Sequence, residues 1–197
     1  SAGVGGVFNP AIDLETSRAI LLLVQEYPSL FAAVSVHPNS ALTWNEDSFD
    51  ELCELAASDK VKAIGEIGLD YYRDRAPKSL QQEIFRRQLD LASRVNLPVI
   101  IHSRDSSPTD PQATQDLLGI LEEWQGNLRA VGSPLADRPG VLHSYASSIE
   151  LALQAVELGF FIGITGNYAT RCLYLRLEQW CSGVLRENAN ASGLQNS

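Results

Sequence analysis

Residues 61–70 read VKAIGEIGLD, a largely apolar run in which a carboxylate, Glu66, lies between two glycines, Gly65 and Gly68. A strand with one wet face alternates apolar and polar residues, and this stretch does not. Continuous apolar runs belong to strands covered on both faces, which occur in parallel sheets with helical crossovers. A helical pattern follows near 79–96. There Leu80, Ile84, Leu91 and Val95 fall on one stripe, with Phe85 and Ala92 at its shoulder. Ser79 with Gln82 has the spacing of a capping box.

The same rhythm extends in both directions. The apolar runs 3–8, 30–38, 97–104, 140–146 and 160–166 lead into helical patterns near 15–27, 46–57, 112–125, 148–158 and 169–187. Ser147 with Glu150 fits a second capping box, and Gly159 is a helix stop. Six strand-then-helix units predict an α/β fold, either an open doubly wound sheet or a (β/α) barrel. No GxGxxG opens a helix, which argues against dinucleotide binding. The reading is one domain over 1–187 and a polar, flexible tail over 188–197, with a long Pro- and Gly-rich loop at 127–140.

The chain has 197 residues and a net charge of −9, so nucleic acid would need a metal ion or a local basic patch to dock. Cys53, Cys172 and Cys181 show no CxxC spacing and read as reduced thiols of a cytoplasmic protein. No apolar run has the roughly 20 residues that would cross a bilayer, so no membrane partner is expected.

The chain has three histidines, His37, His102 and His143. Each ends a strand, in VSVHP, VIIHS and GVLHS, and Glu66 sits late in its own. In parallel α/β folds the C-terminal strand edge is where ligands bind. Glu66, His102 and His143 come from successive units, so neighbouring strands would bring them together. One carboxylate and two neutral imidazoles suit a divalent ion such as zinc or manganese, which would activate a water and polarise an oxygen. His37 and Arg104 read as substrate contacts, Arg104 for a phosphate.

The segments SVHPN, KAIGEIGLDYYRD, LPVIIHSRD, GVLHSYASS and GFFIGITG resemble the TatD family of metal-dependent deoxyribonucleases, in order and spacing. The resemblance implies a TIM-type (β/α) barrel that hydrolyses phosphodiester bonds of DNA with a divalent metal (zinc, manganese or magnesium). It implies Glu66, His102 and His143 as metal ligands and Glu66 as the catalytic residue. The family's opening HxH pair and its late metal-binding Asp have no counterpart here, and Asn39 stands where the family often has a further His. The barrel is therefore expected to be incomplete, with strands resembling two to seven of eight. One metal site is kept, catalysis is weakened, and the exposed barrel edges invite self-association. The alternatives are a catalytically inactive or truncated scaffold, and an amide or ester hydrolase of the wider metal-dependent barrel group.

Overall fold

Six strands lie side by side in one sheet, in chain order and all parallel. They are β1 (Val7–Pro10), β2 (Leu30–Val34), β3 (Val61–Asp70), β4 (Val99–Arg104), β5 (Gly140–His143) and β6 (Phe161–Ile162). The crossovers carry α1 (Leu14–Glu26), α2 (Ser48–Ala56), α3 (Lys78–Val95), α4 (Gln112–Ala130) and α5 (Ile149–Glu157). The computed structural model describes residues 5–164, and the part through Gly163 forms one compact unit. The helix expected near 169–187, the tail, Cys172 and Cys181 lie outside the described residues. Among the described residues the sheet is open, with β1 and β6 at its edges, in keeping with an incomplete barrel. Val7 and Phe8 on β1 and Phe161 on β6 are exposed there.

The buried runs behave as covered strands should. Ile64, Ile67 and Leu69 of β3, Ile101 of β4 and Leu142 of β5 are almost wholly buried. Phe85, Leu89 and Leu91 of α3 and Leu117 and Leu121 of α4 are buried with them. Each such side chain contributes about 1.5–3 kcal/mol.

Several local readings need correction. The N-cap of α3 is Pro77 and makes no side-chain cap bond, so Ser79 lies inside the helix rather than before it. In α5 the cap is Ser148, one residue after the expected Ser147, and its hydroxyl accepts from the Leu151 N–H. The capping box in the structure belongs to α1, where Asp13 and Thr16 satisfy each other's backbone N–H groups. The helix expected over 112–125 continues to Ala130, because Leu128 carries its buried stripe one turn further. That helical turn and a 3-10 turn at Pro134–Asp137 absorb much of the expected loop.

Helix α3 is also more than an apolar stripe. Gln81 and Gln88, two turns apart, are both 1% exposed. The Gln81 carboxamide accepts from the Asp70 N–H (2.9 Å) and donates to the Asp70 and Ala76 carbonyls (3.2 and 2.9 Å). Gln88 accepts from the Val36 N–H (2.7 Å) and donates to the Val36 carbonyl (2.9 Å). One helix thus clamps the backbone just beyond β2 and at the end of β3, where regular ladder bonds run out.

Candidate metal centre

The C-terminal ends of β2 to β5 surround a cleft of about 410 Å³. His37, Glu66, His102, His143 and Arg104, the five residues singled out from sequence, all line it, together with Asn39, Asp70, Arg73 and Arg75.

Glu66 reaches the cleft through an irregularity in β3. Gly65 pairs with Ile100 and Ile67 with Ile101, so Glu66 is an extra residue in the ladder. Such a bulge re-aims a side chain next to a site. The flanking glycines permit it. A Cβ on Gly65 would lie 2.6 Å from the Ile100 Cβ. Gly68 has a φ of 138°, and a Cβ there would lie 2.0 Å from the His102 carbonyl oxygen. Only glycine fits such an approach. The Ser35 hydroxyl donates to the Glu66 carbonyl from below (3.1 Å).

His102 stands between two carboxylates. Its Nδ1 is 3.2 Å from Glu66 Oε1 and its Nε2 3.2 Å from Asp70 Oδ2. With both carboxylates ionised, both ring nitrogens act as donors, which favours the imidazolium form. Burial pulls its pKa down, but the bonds to Asp70 and Glu66 outweigh this and raise it to about 8. Burial likewise pushes Glu66 up, and the His102 hydrogen bond with the nearby imidazoles, His143 included, brings it below its ordinary value.

Asp70 is fully buried and fully partnered. Its Oδ2 also accepts from Asn39 Nδ2 (3.0 Å), and its Oδ1 accepts from the backbone N–H groups of Tyr72 (3.1 Å) and Arg73 (2.9 Å). Burial opposes its charge, yet the bonds from His102, Arg73 and Asn39 hold its pKa well below the carboxylate range. Asp70 was missed from sequence. The available signal was its place four residues after Glu66 on one strand, which alternation puts on the same face.

His37 packs edge-on against His102, with 4.5 Å between ring centroids. Burial and the neighbouring His102 charge lower its pKa to about 4, so it is neutral. Its Nδ1 accepts from the Asn39 N–H (3.0 Å). The single ring proton is therefore on Nε2. His143 is exposed, and its Nε2 shares a hydrogen bond with Ser144 Oγ (2.9 Å). Its Cα is the register partner of His102.

The chemistry of this donor set fits a divalent cation. Ligand atoms of His37, Glu66 and His102 lie within 4.8 Å of one another, while His143 stands outside that cluster. Two carboxylates share a single protonated imidazole, a positive charge that a cation would replace. The buried Asn39 Oδ1, on the same cleft, has no hydrogen-bond partner. Glu66 has one oxygen committed to His102 and is otherwise open, whereas Asp70 is saturated. Asp70 thus orients His102 through Nε2, the arrangement by which carboxylates support metal-binding histidines, and Nδ1 and Glu66 are the groups that could hold an ion.

Comparisons with known proteins give the chain a family. The family model for TatD related DNase matches residues 1–173. The uncharacterized metal-dependent hydrolase YabD of Bacillus subtilis is 38% identical over 154 residues, 78% of this chain and 54% of that protein. The 3'-5' ssDNA/RNA exonuclease TatD of Citrobacter rodentium is 32% identical over 167 residues, 84% of this chain and 57% of its own length. The crystal structure of YJJV, a TatD homologue from Escherichia coli K12, superposes with a TM-score of 0.69 at 32% identity, over 82% of this chain and 56% of that one. The chain spans little more than half the length of the curated relatives it matches. On these matches the chain belongs to the family of TatD-related DNases.

Proposed function

We propose that this chain is a divalent-metal-dependent hydrolase of phosphodiester bonds, with DNA as its substrate. The observation that supports this best is the meeting of Glu66 and His102 over the buried Asp70, in a cleft that three arginines also line. Glu66 and His102 would hold the ion, with His143 as the third ligand. Imidazole ligands favour zinc over magnesium. A bound ion polarises a phosphoryl oxygen and lowers the pKa of water. The chain's own groups do the rest. Asp70 fixes His102, Arg104 neutralises the phosphate, and the His37 Nε2–H donates to a phosphate oxygen rather than ligating the ion.

With three histidines in the chain, we infer one cation per chain and slow turnover. The name of the Citrobacter rodentium relative adds single-stranded DNA or RNA as the form of substrate to try first.

The test pairs calorimetry against manganese and zinc with digestion of an end-labelled single-stranded oligonucleotide. One ion per chain and slow trimming that EDTA stops is the expected result. Binding without trimming favours the non-catalytic scaffold, and cleavage of amide or ester substrates alone favours the wider hydrolase group. Neither heat nor a thermal shift with any divalent ion would overturn the reading.

A further inference from the structure

The average surface of this chain repels nucleic acid, since its net charge is −9. The rim of the cleft is different. Arg73, Arg75 and Arg104 all line it, and the described ion pairs include none of them. Arg104 lies over an aromatic ring. Its guanidinium carbon lies 4.1 Å from the centre of the Tyr72 ring, which is itself 59% exposed. Arg104 follows His102 by two residues on β4, so alternation puts both on one face of the sheet. The backbone of Tyr72 and Arg73 is tied to the carboxylate of Asp70, the same group that holds His102.

An exposed aromatic ring with a guanidinium over its face, outside the described ion pairs and beside the cleft, is a ready surface for a planar base. Bases stack on tyrosine rings and on arginine planes, and stacking is tolerant of sequence. The order already present in the Tyr72–Arg104 pair lowers the entropy lost on binding.

Resting on the phosphodiesterase reading above, we propose that Tyr72 and Arg104 form a stacking platform for an unpaired base of a single-stranded polynucleotide, with Arg73 and Arg75 contacting its backbone. The platform makes the site prefer single strands, because a base held in a duplex does not present a free face. Asp70 fixes the distance between the platform and the ion-binding group.

The test measures binding rather than turnover. Manganese-loaded protein is titrated, by fluorescence anisotropy, into a phosphorothioate oligonucleotide that resists cleavage and into an abasic oligomer of the same length. Wild type should bind the base-containing oligomer roughly ten- to a hundredfold more tightly. Tyr72→Ala should remove most of that difference and leave abasic binding unchanged. Tyr72→Trp should keep it, which separates stacking from any loss of fold. Arg104→Ala should weaken both oligomers, the base-containing one more. Equal loss on both oligomers in Tyr72→Ala, or no loss on either, overturns the platform. If wild type binds manganese but discriminates between neither oligomer, the platform falls while the hydrolase reading stands. If it binds neither manganese nor oligomer, both fall.

Discussion

The two flanks of the cleft are built to different standards. On the β3–β4 side the strands run to ten and six residues, and the side chains of Glu66 and His102 are 16% and 20% exposed. Gln81, Asn39 and Asp70 hold that side by hydrogen bonds, and Gln88 holds the adjoining backbone beyond β2. On the β5–β6 side the strands have four and two residues, and His143 is exposed with its neighbour Ser144 as its hydrogen-bond partner. One flank is preorganised and the other is short and open to solvent. Preorganised donors bind a cation without first losing conformational freedom, so affinity should concentrate on the β3–β4 side.

The largest effect should come from that flank. Glu66→Ala and His102→Ala should abolish the calorimetric heat of manganese binding. Strand cleavage should fall on the order of a thousandfold, equivalent to several kcal/mol of transition-state stabilisation. Cation binding of wild-type strength in either variant would break the comparison. Asp70→Asn comes next. Asparagine keeps the size but returns a weaker acceptor to His102, and loss of such support costs about 10- to 100-fold in metal affinity. The same titration reads it, and an unchanged affinity would make Asp70 a purely structural residue.

The difference between the flanks also explains what was legible in the sequence. The six strands and the placing of Glu66 and all three histidines at one edge followed from runs that end in a polar side chain, while the order of the strands came from the family resemblance. Asp70, Gln81 and Gln88 did not stand out. A polar residue looks like surface until its partner is located, and the partners of Gln88 lie 52 residues away on the Val36 backbone. The β3 bulge was hidden for a related reason, since register is a property of two strands. The role of His37 turns on a proton position that a neighbouring backbone amide decides.

Proton competition sharpens the contrast. In the metal-free protein the His102 pKa is raised from 6.5 to about 8. The stability this adds, about 2 kcal/mol, is fully present below pH 6.5 and is lost as pH rises through 8. Cation binding must displace that proton, so affinity should run the other way. It should rise about tenfold per pH unit up to pH 8 and level off above. Titrations in buffers of different ionisation enthalpy would count the proton released. A flat profile between pH 6 and 8 would mean that His102 is not displaced.

The smallest effect is expected on the solvent-open flank. His143→Ala removes an imidazole that solvent already reaches, and a water molecule can take its position beside the ion. Affinity should therefore drop less than about tenfold, below the range for losing Asp70. Cleavage should fall further than affinity, because an ion with an extra water places the phosphoryl oxygen less firmly. Parallel titrations and rate measurements on His143→Ala and His102→Ala read both quantities. If the two variants lose affinity equally, β5 is as well organised as β4 once the ion is bound, and the asymmetry belongs to the metal-free state alone.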